Sequence, residues 1–278
     1  MRRFTTSAGT ERPLLGLLLL VELIVAVALL WRPAPAQVPP PAPPPVASST
    51  PVLTSQTLTL RDGRTASLLP LGGARSSTLT ARIAAELDAA TDAVTAFWGD
   101  GWRRDIEIVA TGTDEEFADM GTPGSDIAAA TTPQRIVFAP GAAAMSDGAL
   151  RIVLRHELFH YAARADTAAD APRWLTEGVA DFVGRPPQPR PGPALAADLA
   201  KIPTDADLDT PGATRSLAYD RAWWFSRFVA DRYGMPTLRK LYLEACRPGH
   251  PDVATAIRDT LGADLTQVVA SWRQWLSG

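Results

Sequence analysis

Apolar and polar residues change rhythm several times along the chain, and each rhythm predicts an element. From Ser77 to about Trp98, apolar residues recur every three or four positions behind a Ser-Ser-Thr start, the pattern of a helix with one buried face. Ahead of it, "VLTSQTLTLRDGRTASLLPL" alternates on both sides of Asp62-Gly63, which predicts two strands joined by a two-residue hairpin turn. "RDIEIVAT" and "QRIVFAP" read as strands flanking a loop with Asp114, Glu115 and Glu116, three acids that suit a solvated helix start better than an acidic rim. Helical spacing returns from about Asp147 to Arg164 and, briefly, from about Pro172 to Phe182. A Pro- and Asp-rich connection over 184–215 carries one short helical piece at "ALAADLAKI". From Ser216 the pattern stays helical: "SLAYDRAWWFSRFVADRYG" ends on a capping glycine and three shorter helices follow. Strands first and helices afterwards predict the α+β class.

Two early segments fall outside this pattern. Residues 14–31, "LLGLLLLVELIVAVALLW", are almost uniformly apolar and follow Arg2, Arg3 and Arg12. Such a run is long enough for a membrane-spanning helix with a cytoplasmic N-terminus. Ala34-Pro35-Ala36 offers the alternative of a cleaved signal peptide. Glu22 weakens both readings, because a carboxylate in hydrocarbon is costly. Residues 33–51 hold nine of the 25 prolines and form no core; they predict an extended spacer. The expected organisation is an anchor or signal segment at 1–32, a proline-rich linker at 33–52 and a folded domain at 53–278. That domain is expected outside the cytoplasm, single-pass at the cell membrane or secreted.

Composition narrows the chemistry. The 278 residues, 46% hydrophobic and 21% charged, suffice for a large core. A net charge of −3 gives no basic footprint for nucleic acid, and a monomer is expected. A single cysteine, Cys246, excludes an internal disulfide and a cysteine-rich metal site and reads as a small buried apolar residue.

The chain has only three histidines, and two of them stand in "RIVLRHELFHYAARAD". His156 and His160, four apart on a helix, lie on one face one turn from each other, so both imidazoles can reach one zinc ion at about 2.1 Å. Glu157 sits beside that point, placed to take a proton from a water and pass it to a leaving amine. A hydrolytic zinc site needs a third protein ligand, and two carboxylates are candidates. Asp166 lies six residues past His160, a spacing that resembles the third-ligand position of metzincin-type metalloproteases, but the sharp turn of that pattern needs a glycine where this chain has Ala163. Glu177, in "RWLTEGVADFVG", is the better candidate. Asp181, four residues on and on the same face, could accept a hydrogen bond from a ligating histidine and fix its tautomer. Leu175, Val179, Phe182 and Val183 would bury that helix. Tyr219 and His250 are candidates to donate a hydrogen bond to the carbonyl oxygen as it gains charge. The strand "QRIVFAP" is expected at a sheet edge that could receive an extended peptide.

"HELFH" followed by "WLTEGVADF" resembles the gluzincin branch of zinc metallopeptidases, in particular the peptidase MA-like group. The resemblance extends weakly through "LAYDRAWWFSRFVADRYGMPTLRKLY". It implies a zincin-like fold, a mixed β-sheet with helices followed by a mostly helical half. It also implies Zn2+ held by His156, His160 and Glu177, with Glu157 as general base, Asp181 behind the ligands and Tyr219 facing the metal. Only residues 161–176 separate His160 from Glu177, a tight connection for this family. The implied function is a membrane-tethered or secreted zinc metallopeptidase acting on peptides or proteins. The alternatives are an inactive zincin-like binding module at the cell surface and a stalked structural module in which the motif is fortuitous.

Overall fold

A computed structural model describes residues 55–121 and 127–278. The apolar run at 14–31 and the whole proline-rich linker at 33–52 lie outside the described residues. Among the described residues no helix is long and apolar enough to cross a membrane. The single-pass membrane placement expected from the N-terminal run is therefore withdrawn.

The N-terminal half is a five-stranded mixed sheet in the order β1-β2-β3-β5-β4, and the remainder is mostly helical. Strands β1 (Gln56–Thr59) and β2 (Thr65–Pro70) form the antiparallel hairpin. Its connection is five residues long, because the last pair is Thr59 with Thr65 and the Leu60 N–H donates to the Arg64 carbonyl. Helix α1 (Ala74–Trp98) crosses from β2 to the parallel strand β3 (Asp105–Ala110). A short helix α2 (Asp114–Asp119) follows, started by the capping box of Thr113 and Glu116, which explains the three acids in its first turn. Then come β4 (Ala129–Thr131) and β5 (Ile136–Phe138).

Strand β4, too short for its pattern to be read, corrects one expectation. It pairs antiparallel with β5 and takes the edge, so "QRIVFAP" lies inside the sheet between β3 and β4. The alternation along β2, β3 and β5 separates two faces. Leu68, Ile108, Ile136 and Phe138 enter the main core with Leu79, Ile83 and Leu87 of α1. Val109 and Val137 turn the other way and pack with Phe117 of α2. Each such side chain contributes about 1.5–3 kcal/mol by leaving water.

Helix α3 (Asp147–Ala163) starts on Ser146, whose hydroxyl accepts from the Ala149 N–H at 3.2 Å. Leu150, Leu154 and Leu158 form its buried stripe, and the Tyr161 hydroxyl donates to the Asp105 carbonyl at 2.8 Å, tying the helix to β3. Helix α4 (Arg173–Gly184) is followed by α5 (Pro193–Leu199), α6 (Asp205–Asp209), α7 (Ala213–Tyr233), α8 (Met235–Cys246), α9 (Val253–Leu261) and α10 (Leu265–Ser277). Trp174, Phe225, Phe228 and Trp272 build an aromatic core among α4, α7 and α10. Cys246, at the end of α8, is buried as well, and burial pushes its thiol up to about 12.

Candidate metal centre

The site is made where α3 and α4 pass close to each other and α7 covers α4. Two glycines set those approaches. A Cβ on Gly178 would lie 2.4 Å from the carbonyl oxygen of Ala222 in α7. One on Gly184 would lie 2.9 Å from the Ile152 carbonyl oxygen and 3.4 Å from the His156 backbone nitrogen. Larger residues would push α4 off both neighbours. The connection between α3 and α4 is held from outside: the Thr167 hydroxyl meets the Tyr242 hydroxyl at 2.8 Å, and the Ala168 N–H donates to the Cys246 carbonyl at 2.7 Å.

Within this frame His156 and His160 face each other, their Nε2 atoms 3.1 Å apart. Glu177 Oε2 lies 3.2 Å from His156 Nε2 and 3.6 Å from His160 Nε2. The three donor atoms all fall within 4.8 Å of one another, and among the described residues this is the one trio of metal-binding side chains so arranged. Asp166, the other candidate for third ligand, is not part of it. Asp181 Oδ1 stands 2.9 Å from His156 Nδ1. That hydrogen bond places the ring proton on Nδ1 and leaves the Nε2 lone pair directed at the other two donors.

The electrostatics match a point that attracts a cation. Burial works against a charged His156, but the hydrogen bonds and charges of Asp181 and Glu177 outweigh it and hold its pKa well above the ordinary imidazole value. Burial likewise works to raise the Glu177 carboxyl, but the charges and hydrogen bonds of His160 and His156 hold it well below the usual carboxylate range. A divalent ion at this point would favour the same buried carboxylate.

Glu157 is 8% exposed and follows the first histidine. The Thr131 hydroxyl, on edge strand β4, lies 2.7 Å from Glu157 Oε2 and 2.9 Å from the Glu157 carbonyl oxygen. Tyr219, on α7, has its ring centre 6.5 Å from that of His156. Burial, then the charges of Glu177 and Asp181, push its phenol far up, so it stays a hydrogen-bond donor. His250 is elsewhere engaged: its Nδ1 lies 2.7 Å from the Pro251 carbonyl and its Nε2 3.6 Å from Asp170 Oδ1.

Arg185, Asp220 and Thr131 were not read from the sequence. Arg185 has its Nη2 2.5 Å from Asp181 Oδ2 and its Nη1 2.8 Å from Asp220 Oδ1. Its position four residues after Asp181 was a legible signal; the other two come from distant elements.

No family model and no curated protein matches the chain. Among solved structures the chain is similar to M1 zinc metallopeptidase mutants. A two-domain form bound to L-arginine gives a TM-score of 0.46 at 16% identity, one from Deinococcus radiodurans 0.44 at 16%, and a two-domain form bound to L-tryptophan 0.42 at 18%. Each match covers 81% of this chain and 52% of the other, so the chain spans about half the length of these neighbours. At these scores the likeness is one of outline, and the site is judged on its own residues.

Proposed function

We propose that the chain is a zinc-dependent hydrolase of peptide bonds with a zincin-like fold, its metal held by His156, His160 and Glu177. The observation that carries this reading is the convergence of two imidazole nitrogens and one carboxylate oxygen within 4.8 Å, with Glu157 on the adjoining position of the same helix. Two neutral nitrogen donors and one anionic oxygen are the donor set of a hydrolytic zinc site, which leaves one coordination position for the reactants. Bound there, zinc would supply Lewis acidity to a carbonyl group and lower the pKa of water to about 7.

The residues of the chain divide the remaining tasks. Glu157 accepts the proton of the attacking water and delivers it to the leaving amine. Thr131 donates a hydrogen bond to one oxygen of that carboxylate and so aims the other. The phenol of Tyr219 donates to the former carbonyl oxygen as negative charge builds on it. Asp181 holds the His156 ring and its tautomer. Peptides and proteins are the proposed substrates.

The decisive experiment loads the full chain with zinc and follows cleavage of a peptide library with and without chelator. Wild type should take up about one zinc per chain. Glu157→Gln should keep that zinc and lose about 10²- to 10⁴-fold in hydrolysis. No zinc after loading, or equal cleavage by both proteins, overturns the proposal. Zinc retention with no cleavage by either protein would favour the non-catalytic binding module.

A further inference from the structure

We propose that Arg185, braced by Asp220, is a positioning residue for the metal centre: it fixes the Asp181 carboxylate and, through it, the ring of His156. The inference rests on the zinc-site reading above and adds the groups standing behind the ligands. Asp181 presents its two oxygens to two partners, Oδ1 to His156 Nδ1 at 2.9 Å and Oδ2 to Arg185 Nη2 at 2.5 Å. A carboxylate hydrogen-bonded at one oxygen can swing about its Cβ–Cγ bond; an ion pair at the other oxygen opposes that rotation. Arg185 is in turn fixed by three contacts. Its Nη1 lies 2.8 Å from Asp220 Oδ1, its guanidinium stands 5.3 Å from the Trp223 ring centre, and its backbone N–H donates to the Asp181 carbonyl at 2.8 Å.

The chain Asp220–Arg185–Asp181 thus runs from α7 to the end of α4 and finishes on an imidazole of α3. Its register is set next to the ligand itself, since Gly184, the residue before Arg185, packs against the backbone of His156. Asp181 is 4% exposed, and a carboxylate so far out of water is costly without a cation or several donors beside it. Arg185 supplies that cation on the side away from the metal. The Nε2 lone pair of His156 then stays aimed at the point shared with His160 and Glu177.

The test is zinc affinity, measured on the full chain by competition with a chromogenic chelator. Arg185→Met should weaken zinc binding about tenfold, the lower end of what removing a group behind a ligand costs. Asp181→Asn should weaken it by a similar factor. Adding Arg185→Met to Asp181→Asn should weaken it no further, because both act through one carboxylate. Asp220→Asn, the milder change and the fallback if Arg185→Met does not fold, should give a smaller loss in the same direction. A purely structural role would lower the Tm of the metal-free protein and leave zinc affinity unchanged in both variants, and that result overturns the inference. So do losses that multiply in the double variant. A wild-type chain that takes up no zinc removes the site reading and this inference together, whereas zinc uptake without hydrolysis counts against the peptidase reading alone.

Discussion

Arg64 and Asp181 are both charged side chains taken almost wholly out of water, 1% and 4% exposed, yet their surroundings are built on opposite plans. Around Arg64 every partner points inward and the group is closed. Its Nε donates to the Arg103 carbonyl at 3.1 Å, its Nη2 to the Asp100 carbonyl at 2.8 Å, and its Nη1 pairs with the Asp62 carboxylate. The guanidinium also stacks 3.7 Å from the Trp102 ring centre. Nothing there invites a ligand; the cluster locks the β1–β2 connection onto the end of α1. Around Asp181 the groups instead line up toward a single point, where two imidazole nitrogens face each other and a carboxylate oxygen with little but one another for company. A satisfied network stabilises a fold, while a convergent one costs stability until something occupies its focus. That contrast distinguishes a closed cluster from a convergent one without any appeal to a motif.

Three measurements can break or sharpen the comparison. The largest effect should come from Glu177→Ala, which removes a donor from the focus. Zinc affinity should fall by more than about 100-fold, beyond what losing a supporting group costs, while Asp166→Ala leaves it unchanged. The reverse ranking would show that the wrong carboxylate was chosen. Next, Arg64→Met should cost about 3 kcal/mol in denaturant unfolding, the low end for breaking a buried pair because Asp62 keeps some solvent. Its zinc affinity should match wild type, and a parallel loss of zinc would mean that the two clusters are not independent. The smallest effect should come from a half-buried pair at the surface, Glu86 with Arg151 at 2.8 Å. The hydrogen bond from Arg151 holds the Glu86 carboxyl below its usual value against a little burial. A lowered folded pKa means a contribution that is present above about 4.5 and lost as the pH falls through the lowered value. Tm curves of wild type and Glu86→Gln should therefore differ slightly near neutrality and converge in acid; curves that stay parallel would refute the assignment.

Legibility from sequence followed the range of the interactions. Helices α1, α3 and α4 declared themselves through apolar spacing, because the face they bury is encoded every three or four residues. His156, His160 and Glu157 sit within one such helix, so their relation was local. Glu177 came within reach because only a short connection intervenes. Strand β4 was missed because three residues carry no readable alternation, and with it the true sheet edge and the Thr131 contact. Arg64 carries no signal of its own in the sequence, since its burial depends on carbonyls of residues 100 and 103 that only the folded chain brings near. Asp220 is hidden for the same reason: its link to Asp181 passes through a third side chain on another helix.

The brace on the α3–α4 connection bears on the order in which the site is completed. A ribosome that has made residue 177 has already delivered all three donors, but Tyr242 and Cys246, which pin Thr167 and Ala168, are translated much later. The nascent chain therefore holds all three donor side chains before it holds the clasp on the connection between their two helices, which forms only when the eighth helix docks.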